Sequence, residues 1–302
     1  MLYLLTLIIL AISLWVDNSA ISLFLGILLA LSLKLPHRFF TQRYGSKILQ
    51  TGLVFLGGSL SIETVYQTNT DYFLWISFFV LMSFGGVILI GRLIGVSEKL
   101  SFLLASGTAV CGGTAIASVA PAIKAKPEEL TTAITIVFLL NAIAVLFFPL
   151  SNEYLNLSEK QFGAWAALAI HDTASVVGAA SSVGEISVEV AATLKVARTI
   201  WIAPLVIFAA WFYRNKNEGL GLPIFIVFFI LAAFLNSIFQ PSDFVIDNLK
   251  FINRVCLLTG LFCIGTQINR ESLAILEFKP ILLACIVWTA IIPTTLIVVQ
   301  IF

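Results

Sequence analysis

Apolar runs, parted by short breaks of charged, proline, glycine or asparagine residues, fill nearly this whole chain. Their lengths predict about eleven helices, at roughly 2–16, 19–33, 48–65, 72–93, 100–121, 130–150, 162–182, 188–213, 221–239, 250–269 and 280–302. The first two are short for a bilayer, so they form either one hairpin or two spans with blurred ends. The first run opens on Met1-Leu2-Tyr3 with no basic region and no small-residue cleavage site, which predicts a membrane helix rather than a cleaved signal.

The chain is 60% hydrophobic and 11% charged, where a soluble domain carries about a quarter charged residues. It has too little polar surface to cover a globule in water. The expected class is an all-α polytopic membrane protein, with the lipid bilayer as its solvent. A net charge of +1 gives no sign of a nucleic-acid partner. The four cysteines, Cys111, Cys256, Cys263 and Cys285, lie in apolar segments without metal-ligand spacing or a disulfide framework, so no metal and no cofactor is expected. Lys34, Arg38, Arg43, Lys47, Arg92, Lys99, Lys160, Arg214, Lys216, Arg270 and Lys279 fall in one set of alternating loops. Lys124, Lys126 and Lys250 fall in the other, and this 11-to-3 bias predicts a cytoplasmic N-terminus and an external C-terminus.

The segment Cys111-Gly112-Gly113-Thr114-Ala115-Ile116 returns 152 residues later as Cys263-Ile264-Gly265-Thr266-Gln267-Ile268. The shared Cys-x-Gly-Thr-x-Ile would lie in oppositely directed helices, as an inverted repeat requires. The expected layout is an extra helix over 1–18, a first repeat over 19–150 and a second over 160–302, with inverted five-helix repeats and two broken crossing helices. Glycine lets a backbone open, and threonine hydrogen-bonds the groups freed there. A half-helix starting in mid-membrane presents unpaired N–H groups and a positive dipole end, a site for an anion. Thr108, Gly112, Gly113, Thr114, Gly265, Thr266 and Gln267 are the candidate substrate-binding residues. Tight helix packing by small residues explains a single such motif as well.

Intramembrane ionisable residues come next. His171 and Asp172 fall within the seventh predicted helix, followed by Thr173 and Ser175. A charge at that depth costs at least about 2.5 kcal/mol and normally faces a cavity. Proton relay and plain hydrogen bonding to neighbouring helices both fit the pair. Lys195 and Arg198, three apart, share a face of the eighth helix, where they attract an anion, pair with Asp172 or snorkel to the interface. His171, Asp172, Thr173, Ser175, Lys195 and Arg198 are the candidate coupling or gating residues. Neither a Walker motif nor a zincin or Gly-x-Ser-x-Gly motif occurs, so an enzyme is not expected.

The run Gly107-Thr108-Ala109-Val110-Cys111-Gly112-Gly113-Thr114-Ala115-Ile116-Ala117, with Ala120-Pro121-Ala122-Ile123-Lys124-Ala125 after it, resembles the YeiH-type family of bacterial inner-membrane proteins. So does Ile170-His171-Asp172-Thr173-Ala174-Ser175-Val176-Val177-Gly178-Ala179. That family carries a sulfate-exporter label and is grouped with the cation/proton antiporter and bile-acid transporter superfamily, whose fold crosses two broken helices at the bilayer centre. The resemblance implies an inner-membrane secondary transporter exporting a small anion such as sulfate or a related sulfur oxyanion, with its C-terminus in the periplasm. The paired membrane aspartates of sodium/proton antiporters have no counterpart here. An alternative on the same fold is a Na⁺- or H⁺-coupled organic-anion importer using Asn141, Gln267 and Asn269, and a further one is a non-transport membrane sensor or enzyme. A homodimer is left open.

Overall fold

The computed structural model describes residues 2–33, 35–36, 39–213 and 224–301. Lys34, Arg38, Arg214 and Lys216 of the charge bias lie outside the described residues. Among the described residues every regular element is a helix: α1 (Leu2–Val16), α2 (Ser19–Ser32), α3 (Phe40–Gly58), α4 (Ile62–Ile94), α5 (Glu98–Ala109), α6 (Gly113–Ala122), α7 (Pro127–Leu155), α8 (Glu159–Ala169), α9 (Thr173–Ser181), α10 (Glu185–Thr199), α11 (Ile202–Phe212), α12 (Ile224–Phe239), α13 (Asp243–Gly265), α14 (Arg270–Ala274) and α15 (Phe278–Ile301). Five stretches among them are long and apolar enough to cross a membrane, namely Tyr72–Ile94, Pro127–Leu155, Glu185–Phe212, Asp243–Gly265 and Phe278–Ile301. Shorter apolar helices accompany them.

Local chemistry sets the helix starts. The Ser97 side chain caps α5, Asn18 caps α2, and Ser158 with Gln161 forms a reciprocal capping box at α8. Pro127 opens α7, with Glu128 and Glu129 in its first turn against the positive helix end. Asn156, in the left-handed region, closes it.

The predicted fifth span is broken at Gly112-Gly113, as expected of it, and the seventh, expected as one helix, is broken too. The chain breaks between Ala109 and Gly113, and again between Ala169 and Thr173. Both broken segments turn back. Lys99 Nζ donates to the carbonyl of Lys124 at 2.7 Å, and Ser97 Oγ to Glu129 at 3.1 Å. A continuous helix would separate residues 25 apart by about 37 Å, so α6 returns to the face where α5 began. Likewise the Ile186 N–H donates to Glu159 at 3.0 Å, and Ser181 pairs with Ser19 at 2.6 Å. Thus α9 returns to the face where α8 began, the opposite one. The physical reason for both corrections is the same: Gly112 at φ +61°, ψ −127° and the extended backbone at Ile170 and Asp172 end one helix and redirect the next.

Further contacts fix the two faces. The first, here the basic face, gathers Lys99, Lys124, Tyr213 bonded to Glu98, Arg270 on the Leu31 carbonyl, and Lys279 near Gly95. The second, the acidic face, gathers Asp17 with Arg254, Glu185 with Lys250, and Asn236 on the Gly58 carbonyl. Two groups of helices pack between them. The α13 helix lies chiefly on α3 and α2, with α12 also on α3. The other group, α4 to α11 with α15, encloses the larger apolar core around both hairpins.

Cysteines introduced one at a time test the hairpins. Lys99→Cys and Lys124→Cys react with an impermeant thiol reagent from one side of a sealed vesicle, and Lys160→Cys from the other. Labelling of positions 99 and 124 from opposite sides would restore the single span.

Candidate functional site

The two hairpin tips meet. A Cβ built on Gly112 would stand 3.1 Å from the Cβ of Asp172, 3.2 Å from its Cα and 3.4 Å from its backbone nitrogen. Only glycine allows that approach, and its backbone angles also favour glycine. Four half-helices therefore end at one place. The α5 and α8 helices bring their C-terminal ends, and α6 and α9 their N-terminal ends.

The C-terminal ends are fully provided for. Arg198, buried in α10, donates from Nε to the Ala109 carbonyl at 2.7 Å and from Nη2 to Thr108 at 2.7 Å. Its Nη1 donates to Leu168 at 2.8 Å and Ala167 at 3.1 Å. One guanidinium thus closes the last carbonyls of both hairpins, which its flat five-donor fork suits. Trp288 Nε1 takes the Ala169 carbonyl at 3.0 Å, and Lys195 Nζ takes that of Ile170 at 2.7 Å. The four carbonyls from Ala167 to Ile170 each have a side-chain donor. A cation at a helix C-terminus also meets the negative dipole end. Snorkelling is therefore corrected: both cations are buried at the tips, held by carbonyls.

The N-terminal ends differ. Asp172 caps α9, its carboxylate accepting from the Ser175 N–H at 3.3 Å and the Ser175 hydroxyl at 3.4 Å. No side chain caps α6, whose first residues Gly113 and Thr114 are half-buried, as is Asp172. Close by, the His171 N–H donates to the Asn141 side-chain oxygen at 3.3 Å. Both ring nitrogens of His171 and the amide nitrogen of Asn141 are buried without a protein partner. Buried polar atoms are normally paired, and these three belong to two residues joined by one hydrogen bond. Lys195 and Arg198 bring two positive charges, and Asp172 is the acidic group that acts electrostatically on Lys195. Ser175 faces Asp172 and not His171, so the three do not line up as a nucleophile with its base.

Thr108 and Thr173 belong to the helix ends at the tips, and Gly265, Thr266 and Gln267 to the end of α13. Thr108 has its side chain buried in α5, and its carbonyl goes to Arg198. Thr173 is the buried first residue of α9. Gly265 and Thr266 end α13 instead of breaking it in mid-course. A Cβ on Gly265 would strike the Leu23 carbonyl of α2, and the Thr266 hydroxyl donates to the Cys263 carbonyl and meets the Thr41 hydroxyl, both at 2.7 Å. Thr41 near the start of α3 and the middle of α2 hold this second Cys-x-Gly-Thr copy, and Ile264 and Ile268 beside it share an apolar cluster with Ala174 and Val177 of α9. Gln267 lines a separate cavity near the basic face. The sequence reading passed over Phe138 and Trp288. A lone aromatic in an apolar run carries no signal of its own, whereas Asn141, the amide inside apolar α7, did.

A family model described as conserved hypothetical protein 698 matches residues 3–284. The chain is 34% identical to a UPF0324 membrane protein of Bacteroides thetaiotaomicron over 94% of its length and 86% of the relative's. The chain belongs to the UPF0324 family. UPF0324 membrane proteins of Geobacter sulfurreducens and Vibrio vulnificus are each 36% identical to it, covering 95% of this chain in both cases and 92% and 94% of those relatives. No solved structure matches it. The resemblance carried by the two motifs thus stands as membership along most of the chain, and this UPF0324 chain is a helical membrane protein.

Arg198→Met leaves four carbonyls without donors in an apolar interior. It is expected to destabilise the protein by about 3–5 kcal/mol, the usual result of breaking a buried charged contact. Arg198→Lys keeps the charge but not the fork and recovers only part. Unfolding in detergent measures both, and a wild-type midpoint for Arg198→Met would contradict the role. Gly112→Ala, strained at its backbone and pressed on Asp172, costs about 1–3 kcal/mol in the same assay.

Proposed function

We propose that this protein is a secondary active transporter, not an enzyme, that moves a small anion of the size and charge of sulfate by alternating access. The observation that carries the reading is the meeting of two re-entrant hairpins, from opposite faces, at Gly112 and Asp172. Interrupted helices whose ends face each other near mid-membrane are the usual construction of a transporter's substrate site. The anion would lie against the uncapped start of α6, at Gly113 and Thr114, with Asn141 Nδ2 and the His171 ring as further polar partners.

Charge supports an anion. Lys195 and Arg198 against Asp172 leave the tips at a formal +1. A divalent anion brings that to −1, and one proton restores neutrality. Asp172 and His171 are placed to take it, which gives proton coupling a physical basis. The sulfate identity and the outward direction come from the label of the resembling family. In the Na⁺-coupled alternative Asn141, Gln267 and Asn269 would converge on a cation, but Asn141 is at the tips while Gln267 and Asn269 line a cavity with Phe138.

In this reading nine passages cross the membrane: α1, α2, α3, α4, α7, α10 with α11, α12, α13 and α15. The inverted repeat becomes a hairpin followed by a crossing helix, α5 to α7 and then α8 to α11, in place of the halves 19–150 and 160–302. Moving Lys124 and Lys126 to the basic face and Lys160 to the acidic one, and counting Arg254 on the acidic face, turns 11 against 3 into 12 against 3. The sharper bias supports a cytoplasmic basic face and N-terminus, and a periplasmic C-terminus in a bacterial inner membrane.

Proteoliposomes test it. Sulfate flux should respond to a pH gradient, and Asp172→Asn should abolish that response. Thr114→Val should weaken sulfate binding about tenfold, the loss of one good hydrogen bond. Thr266→Val, whose hydroxyl is taken up by Cys263 and Thr41, should leave flux within about twofold, below ~0.5 kcal/mol. Absence of sulfate flux, or equal losses at both threonines, would overturn the assignment.

A further inference from the structure

The tips are approached differently from the two faces. Toward the basic face, a cavity of about 280 Å³ lies between α7 and the α13–α14 elbow. Leu130, Thr131, Ile134 and Thr135 line it from α7, and Gln267, Asn269 and Ser272 line it from the elbow. Its remaining α7 wall is Phe138, farthest along α7 from the basic face. The ring of Phe138 also stands over the start of α6. A Cβ built on Gly113 would lie 3.1 Å from its Cε1 and 3.2 Å from its Cζ. One half-buried ring thus has the cavity on one side and the uncapped end of α6 on the other.

Toward the acidic face a cavity of about 240 Å³, lined in part by Ser181, Glu185, Glu189 and Lys250, is crossed by polar bridges. Lys250 of α13 reaches Glu185 at 2.9 Å and Glu189 at 3.7 Å, both on α10. Ser19 of α2 pairs with Ser181 of α9. On the basic-face side Phe138 stands between the cavity there and the start of α6, whereas on the acidic-face side polar bridges join α13 to α10 and α2 to α9.

We propose that Phe138 is the inner gate, the side chain that separates the cavity on the basic face from the anion-binding end of α6. The proposal rests on the reading of that end as the site. An aromatic ring suits the task. It excludes water and a hydrated anion while closed, and it opens by side-chain rotation without breaking a hydrogen bond. Gly113 is part of the device, because any side chain there pushes the ring aside by a few tenths of an ångström. Deepening the site in this way also explains why two glycines, not one, stand at the first tip: Gly112 admits Asp172 and Gly113 admits the gate.

The test reads access, not transport. In protein whose four cysteines are replaced by alanine, Thr114→Cys places a thiol at the start of α6. A charged, membrane-impermeant thiosulfonate is applied to either face of sealed vesicles. From the basic face the thiol should react slowly behind Phe138 and at least tenfold faster with Phe138→Ala. Phe138→Leu and Gly113→Ala should give intermediate rates, and these milder changes serve where alanine at 138 lowers the folded yield. From the acidic face none of them should change the rate. Equal rates from the basic face in all variants, or acceleration from the acidic face, would overturn the gate. Sulfate flux measured with Thr114 intact, on protein carrying only the Phe138 or Gly113 substitutions, separates the two claims. Gated labelling without sulfate flux removes the substrate and keeps the gate, and flux with ungated labelling does the reverse.

Discussion

A helix that stops inside an apolar layer leaves its last four carbonyls without partners, and no water is at hand to take them. This chain stops two helices there, from opposite faces, and answers the cost with three buried side chains. Arg198 closes the ends of α5 and α8 together, and Lys195 and Trp288 complete α8. Everything at the centre follows from that arrangement. The hairpins are pinned to α10 and to each other, their tips come within van der Waals contact, and two basic side chains are fixed in the interior.

The other ends of the same break have the opposite character. Where the C-terminal ends are saturated, the start of α6 is open, and His171 and Asn141 bring polar atoms that no protein group satisfies. A charged scaffold beside unpartnered buried polar atoms is the arrangement expected where a ligand completes the hydrogen bonding. Asp172 stands at the junction. It caps α9, lies against Gly112, and offsets one of the two cations. A change in its protonation would alter the cap, the contact and the charge balance together, which ties coupling to the geometry of the tips.

Much of this was legible in the sequence. Gly112-Gly113, His171-Asp172 and the Lys195–Arg198 pair all announced themselves as polar or permissive residues in apolar runs, and all of them meet at the tips. The return of the hairpins was not legible, because hydropathy counts apolar residues and is blind to whether a run crosses or turns back. The run 100–121 scores alike either way. A trace did exist: Lys124 and Lys126 were two of the three cations on the wrong side of the charge bias, and the hairpin moves both. The two Cys-x-Gly-Thr copies differ in what they do to the chain. In one copy the Gly-Thr step opens a turn at the tips. In the other it ends a helix near Thr41, and six letters of sequence do not distinguish the two.

The roles given to Lys195 and Arg198 changed most. As isolated cations in a membrane they invite pairing with an anion, yet their hydrogen bonds go to backbone carbonyls, so their pull on a substrate is through space. The direct contacts would fall to the start of α6, His171 and Asn141. The measurement that addresses this most directly is an electron cryomicroscopy structure of the purified protein in lipid nanodiscs with selenate, a heavier tetrahedral dianion of the same charge as sulfate. The account predicts selenate density at the start of α6, between Gly113–Thr114 and His171, with the Arg198 fork still on the carbonyls of both hairpins. Selenate bound directly to Arg198 or Lys195, or hairpin tips lying apart with the anion elsewhere, would contradict it.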